Sequence, residues 1–389
     1  MKPFVRNDLP TIGVEQEYHL IDAETADLAG VMEGVRGGVE ISLGERLTDE
    51  VFLCVLEACS PVARTPGELL AAIRADRAGL ASACEAVGAR LAAAGTHPFA
   101  AWQRQRFVDS EHYRWVRDHH GDLAHRLLSF GLHVHVGMRS AEAAIYAMHE
   151  MRRWCFPLLA LSANSPFFQG RRTMLASTRW HLFGSMPRTG LAPDFGSFAE
   201  LEALYEKLVA AGDITRPGDL WWVIRPQPPL GTLEFRIFDL PTDTRRVAAL
   251  AAICQAACAL CQDRFEAGEP RTDLDDAYLA QNAWKAMRYD LDAGILDAAT
   301  GEVLTIREQI GRLLDWVGPK AAELGGADAI AFAHEMLRVG TETQWQVERH
   351  EALGGDLRAL ELEIAQKTTA FDPLPPARAE CPGVSTRRR

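Results

Sequence analysis

Apolar and polar positions alternate along Thr11–Ile21 (TIGVEQEYHLI), and its β-formers make it a predicted strand. The same two-residue period recurs in Phe130–Met138 (FGLHVHVGM). It returns in Trp221–Arg225 and Thr232–Asp239, which Pro226–Gly231 separates. Helical patterns run through Thr65–Ala94 and Ala141–Ala163. The first opens with Thr65, Pro66 and Glu68, a capped start with proline in the first turn. The second stops at Asn164-Ser165-Pro166. Gly30–Gly44 is glycine-rich and reads as a loop or hairpin, whereas Thr48–Pro61 fits a helix, a strand or one running into the other. A short helix is expected over Ser197–Ala211, and from Asp243 onward nearly every segment is helical.

Strands therefore mix with long helices before a helical C-terminal third. Regular strand–helix–strand units are few, which argues against a doubly wound parallel sheet. The expected fold class is α+β, one domain over residues 1–370 with a helical layer. A tail over 371–389, with its prolines and terminal Arg387-Arg388-Arg389, is expected to be disordered.

Composition narrows the function classes. The net charge of −12 supplies no basic field for nucleic acid or an anionic membrane. Met1–Pro10 has no apolar stretch of the signal-peptide kind, and no run of 18 apolar residues occurs, so a cytoplasmic location is expected. The eight cysteines are Cys54, Cys59, Cys84, Cys155, Cys254, Cys258, Cys261 and Cys381. Cys254, Cys258 and Cys261 are spaced for one helix face, without the turn residues or fourth ligand of a zinc site. They read as buried, reduced thiols.

The candidate chemistry sits on the strands. Glu15 and Glu17 are two apart, so a strand projects both from one face. His133 and His135 repeat the arrangement, as do Glu234 and Arg236. Each pair alone has a plain explanation: an exposed edge strand for Glu-x-Glu, surface or satisfied core for His-x-His. Together, in apolar surroundings with Gly13, Gly131, Gly137 and Gly231 close by, they point to a metal-centred polar cavity. Neighbouring carboxylates repel unless a cation or proton lies between them. An oxygen-dominated set suits Mg²⁺ or Mn²⁺ better than zinc. Arg179, Arg188, Arg225 and Arg236 are available for phosphate, while neither a Walker loop nor a strand-linked G-x-G-x-x-G occurs. His97 reads as structural and His119-His120 as solvent-exposed. The adjacent Trp221 and Trp222 face opposite ways, one toward the core and the other toward the cavity.

These residues fall within longer motifs. They include Gly13-Val14-Glu15-Gln16-Glu17, Leu56-Glu57-Ala58-Cys59-Ser60-Pro61, Gly95-Thr96-His97-Pro98 and Gly131-Leu132-His133-Val134-His135-Val136-Gly137. Further on come Leu161-Ser162-Ala163-Asn164-Ser165-Pro166-Phe167, Ser177-Thr178-Arg179-Trp180, Arg225-Pro226 and Thr232-Leu233-Glu234-Phe235-Arg236. Asp239 and Asn282-Ala283-Trp284-Lys285-Ala286-Met287-Arg288-Tyr289 complete the series. In this order the chain resembles the bacterial carboxylate–amine ligases, the YbdK-like or type-2 glutamate–cysteine ligases of the glutamine-synthetase-like superfamily.

The resemblance implies a curved, mainly antiparallel sheet forming a funnel flanked by helices, with ATP and Mg²⁺ at one end. It implies metal ligation by Glu15, Glu17, Glu50, Glu57, His133 and Glu234, and catalytic roles for Arg236 and Arg225. Arg179, Thr178, Trp222, His135 and Asn164 are the implied nucleotide or substrate contacts. The implied reaction activates a glutamate-type carboxylate as an acyl phosphate and joins it to an amine, in a homodimer acting on small-molecule amino acid and amine substrates. Two departures bear on the acceptor. Where the family pattern has W-D-I-R-P-H, this chain has Trp222-Val223-Ile224-Arg225-Pro226-Gln227, and where it has Arg-Gln, this chain has Trp345-Gln346. Cysteine is therefore not assumed as the amine. The alternatives are a phosphotransferase without ligation and a non-catalytic nucleotide or metabolite sensor.

Overall fold

The computed structural model describes residues 2–376. Its centre is strand β1 (Ile12–Asp22), onto which β2 (Leu47–Asp49), β3 (Val55–Cys59), β4 (Ala89–Ala92) and β5 (Gly131–Gly137) assemble. A two-residue pair, β6 (Phe167–Phe168) and β7 (Arg171–Arg172), stands apart, and β8 (Ile224–Gln227) and β9 (Thr232–Asp239) complete the main sheet. The order is β2-β3-β1-β5-β9-β8, with β4 also on β1, and every pairing is antiparallel. His19 lies between Val55 of β3 and Ala92 of β4, so β4 continues the β5 edge of β1 where β5 has ended.

The two-residue period divides the sheet into faces of different character. Ile12, Val14, Tyr18 and Leu20 of β1 join Leu132, Val134 and Val136 of β5 and Leu233, Phe235 and Ile237 of β9 on the buried apolar side. The helices Pro66–Ala86, Ala141–Ser162 and Thr244–Glu266 contribute much of the rest of this core. Thr244–Glu266 is long and apolar enough to cross a membrane by composition, but 89% of its most apolar window is buried inside the protein. Cys254, Cys258 and Cys261 lie on it as free buried thiols, and burial pushes their pKa values up. Arg77, fully buried, ties the layers together. It donates to Tyr18 Oη, Gln16 Oε1 and the carbonyls of Pro241, Thr242 and Thr368.

Several segment boundaries differ from the expectations. Met32–Leu43 is a helix rather than a loop or hairpin: Met32, Val35, Val39 and Leu43 recur at helical spacing and are buried. Gly34 and Gly38 serve packing, since a Cβ on Gly38 would lie 3.0 Å from the Ala83 Cβ of the neighbouring helix and one on Gly34 3.2 Å from Val87. Thr48–Pro61 resolves into β2 and β3. The helix begun at Pro66, whose Thr65 cap accepts from Glu68 N–H, stops at Ala86; Gly88, at φ +74°, turns the chain into β4. The strand expected at Trp221 starts only at Ile224. The C-terminal third is helical except for a small hairpin, β10 (Gly294–Leu296) and β11 (Val303–Thr305). Residues 371–376 carry no helix or strand, yet Asp372 pairs with Arg245 at 3.2 Å and Leu374 packs on the core. The rest of the expected tail, and Cys381, lie outside the described residues.

Candidate active site

The polar face of the sheet is assembled by register. Glu15 stands opposite Cys59 on one side and His133 on the other, Glu17 opposite Glu57, and Glu57 opposite Thr48. Across β9, Glu234 is flanked by His135 and Arg225. Directly opposite residues share a face, so one surface collects Glu15, Glu17, Glu57, His133, His135, Glu234 and Arg225. A register shift between Leu132 and Val134 opens the ladder near Arg236, where the strand bends. A cavity of about 460 Å³ covers this face. Its far wall comes from the helices Glu111–His120 and Thr178–Phe183 and the segment around Arg216–Trp221.

Distances define three overlapping donor groups. Ligand atoms of Glu17, Glu50 and Glu57 lie within 4.8 Å of one another, as do those of Glu15, Glu57 and His133, and those of Glu15, His135 and Glu234. His133 Nδ1 is 2.8 Å from Glu15 Oε2, and its Nε2 lies 3.3 Å from Glu17 Oε1 without hydrogen-bond alignment. His135 Nδ1 meets Thr232 Oγ1 at 3.0 Å, and its buried Nε2 lies 3.2 Å from Glu15 Oε1 without hydrogen-bond alignment. Glu17 also accepts from Gly131 N–H, and Glu57 from the Thr48 hydroxyl.

Electrostatics separates these carboxylates into two kinds. Burial raises the Glu234 pKa, but Arg225 and Arg236 outweigh it and hold the group well below the usual range. Arg225 Nε donates at 2.7 Å, and Arg236 and Gln227 also donate to it. Burial likewise opposes ionisation of Glu15, yet His135 and His133 hold its pKa down. The same contact raises the His135 pKa against burial, whereas burial and then Arg236 lower that of His133. For Glu50 and Glu57 the lowering contacts, Arg236 and the Thr48 hydroxyl respectively, are outweighed. Burial, with Glu17 beside it, pushes Glu50 up to about 8, and burial with Glu15 and Glu50 raises Glu57 well above 4.5. A pocket of desolvated carboxylates facing one another is one that a cation or a proton must neutralise. Carboxylate oxygens with one imidazole nitrogen suit a hard divalent ion.

Of the expected contacts, Glu15, Glu17, Glu50, Glu57, His133, Arg179, Arg225 and Arg236 line the cavity, with His135 and Glu234 beneath it. Arg179 is fully buried; it donates to the Arg236 carbonyl at 3.4 Å, and its Nε has no partner. It fits because residue 131 is glycine, where a Cβ would fall 2.1 Å from its guanidinium. Three expected contacts stand elsewhere. Thr178 bonds to Thr173 on the other side of its helix. Trp222 packs in the core against Phe195, and it is Trp221 that lines the cavity. Asn164 is fully buried, bonding to Asp239, the Leu240 carbonyl and Thr242 and accepting from Gln346.

His120 is buried rather than solvent-exposed, held by the Val116 carbonyl and Arg188. His97 is structural: it bonds to the Ala26 carbonyl and accepts from Ala100 N–H. The cavity also has a rim that no motif announced. Arg216 donates to His112 at 2.5 Å, Tyr113 donates to the Asp49 carbonyl, and Trp221 lies close by. These residues come from the helix Glu111–His120, the end of β2 and the segment Arg216–Trp221, with no shared spacing. The departures noted in the sequence also resolve, since Val223 points into the core while Gln227 reaches Glu234.

With this geometry in view, comparison with known proteins is informative. A "Putative glutamate--cysteine ligase 2"-type protein of Herpetosiphon aurantiacus is 33% identical over 364 residues, covering 94% of each chain. A Rubrobacter xylanophilus protein, provisionally named glutamate–cysteine ligase 2-3, is 38% identical over 336 residues, covering 85% of this chain and 90% of its own. Among solved structures, the glutamate–cysteine ligase of Francisella tularensis in complex with AMP superposes with a TM-score of 0.69 at 12% identity. It covers 96% of this chain and 91% of its own, a likeness of fold. The model of glutamate–cysteine ligase family 2 matches residues 11–363 without interruption, and the chain belongs to that family.

Proposed function

We propose that the protein is an ATP-dependent carboxylate–amine ligase that forms an amide bond between a glutamate-type carboxylate and an amine, with Mg²⁺ or Mn²⁺ as its metal. The observation that carries this reading is the gathering of Glu15, Glu17, Glu50, Glu57 and His133 with Arg179, Arg225 and Arg236 around one cavity. A carboxylate is a poor electrophile. Its oxygen takes the terminal phosphoryl group of ATP, ADP leaves, and the resulting acyl phosphate is open to attack. The amine nitrogen then bonds to the acyl carbon, phosphate departs, and the nitrogen releases a proton. A divalent ion held by Glu17, Glu50, Glu57, Glu15 and His133 would supply charge neutralisation for the phosphoryl oxygens.

The arginines divide the remaining work. Arg225 is engaged by Glu234 through two nitrogens and by the carbonyls of Gly218 and Leu220, so it positions Glu234. Arg236 Nε and Arg179 Nε have no partners, which leaves both available for phosphoryl oxygens or the substrate carboxylate. Residues 1–370 act in this reading as one catalytic unit, cytoplasmic and homodimeric, on small amino acid and amine substrates. The family match over residues 11–363 supports the single unit, and free thiols among the described residues suit a reducing compartment.

The test is ADP release across amino acids and amines with ATP and Mg²⁺. Release that needs both a carboxylate and an amine is expected. Transfer to one acceptor with a stable phosphorylated product would instead favour a kinase, and binding without turnover a sensor.

A further inference from the structure

A second cavity, of about 410 Å³, lies behind the helix Thr178–Phe183. Arg179 and Phe183, one turn apart, face the active site, whereas Thr178 and His181 face this second space. Its opposite wall is the β6–β7 hairpin. The two turn residues, Gln169 at φ +51° and Gly170 at φ +76°, have the positive angles of a type I′ turn. Glutamine is an uncommon choice there, and backbone strain of this kind collects at functional positions.

The charge on this wall is one-sided. Arg126, Arg171, Arg172 and His181 line the cavity, and no Asp or Glu does, although the chain as a whole carries −12. Arg126 is committed to Asp122 at 2.6 Å and lies over the Trp102 ring. The others are not. Arg171 has no side-chain partner among the described residues, nor does His181, and Arg172 has only Glu351 at 3.8 Å. The unpaired Arg171, beside the loosely paired Arg172, offers guanidinium donors toward the hollow that an oxygen anion would satisfy.

We propose that this cavity is a second anion site, taking a small polyanion through phosphate or carboxylate oxygens. It is separate from the catalytic cavity and independent of the ligase reading. An occupant touches the helix that carries Arg179 on its other side, which places the site where it bears on catalysis.

The test is calorimetry on the intact protein without Mg²⁺, using pyrophosphate and citrate as separate probes. Tighter binding of one identifies phosphate or carboxylate as the recognised group. Two variants attack opposite walls: the double substitution R171A/R172A on the hairpin, and H181E on the helix. Each residue is exposed, so folding is monitored by melting temperature and ADP-forming activity is expected to persist. Each variant is expected to weaken one class of site by about tenfold or more, as losing a charge-assisted hydrogen bond does. A wild-type protein that binds neither probe overturns the proposal. So does either folded variant binding both probes as the wild type does.

Discussion

Arg236 illustrates how much a single side chain is asked to do. It follows Glu234 by two on β9, pairs with it, lines the cavity and keeps an unpartnered Nε. Asp239, the acid that an ordinary structural pairing would have used, instead accepts from Ser165, Ser177 and Asn164 N–H. Replacing Arg236 by Lys keeps the charge and removes the planar fork. If the guanidinium meets the reacting phosphoryl group, kcat/KM for ADP formation should fall about 10²-fold or more, as on losing one preorganised donor. Near-normal steady-state kinetics in a folded R236K protein would assign the residue to Glu234 alone.

At the scale of elements, the active site depends on how closely the helix Thr178–Phe183 approaches β5. Ser177 caps that helix by accepting from Trp180 N–H and also donates to Asp239, so sheet and helix are joined at one residue. Gly131 then leaves room for Arg179. A methyl group there collides with the guanidinium rather than with empty space. Gly131→Ala should therefore displace Arg179, destabilise the fold by about 1–3 kcal/mol, and reduce ADP formation about 10²-fold. Urea melts and initial rates on the same sample check both; full activity would mean that Arg179 has no part in turnover.

For the whole molecule, the cost of gathering carboxylates should appear as a dependence on pH and metal. The folded protein holds the Glu50 proton more tightly than the unfolded chain, with a pKa of about 8 against an ordinary value of 4.5. Its contribution to stability is full below the unfolded value and is lost as pH rises through the folded one. Glu57, also raised, acts in the same direction. The metal-free protein should thus lose stability between pH 5 and pH 8.5, by on the order of 4 kcal/mol for a shift of this size. Mg²⁺ replaces those protons at high pH and competes with them at low pH. The expected gain in melting temperature from Mg²⁺ is larger at pH 8.5 than at pH 6, and an equal gain at both would contradict the placement of the ion among these groups.

The pairs at i and i+2, Glu15/Glu17, His133/His135 and Glu234/Arg236, were legible in the chain because a strand's period is local. So were the capped start at Thr65 and the apolar helix after Ser140. What the chain could not disclose depends on contacts between distant segments. The glycines of Met32–Leu43 read as a loop until a second helix supplies the surface they pack against. Of two adjacent tryptophans, only the docking of Phe195 decides that Trp222 belongs to the core. Asn164 sits in a functional-looking motif, but its side-chain amide is consumed by the Leu240 carbonyl, Thr242 and Gln346, which arrive from two other places in the chain. The rim of His112, Arg216 and Trp221 has no period at all, because it is assembled by loops and a helix meeting over the sheet. The sequence by itself determined which side chains share a strand face, since that follows from backbone geometry. Tertiary structure alone decided which faces meet and enclose a cavity, since that depends on packing between segments that are not neighbours in the chain.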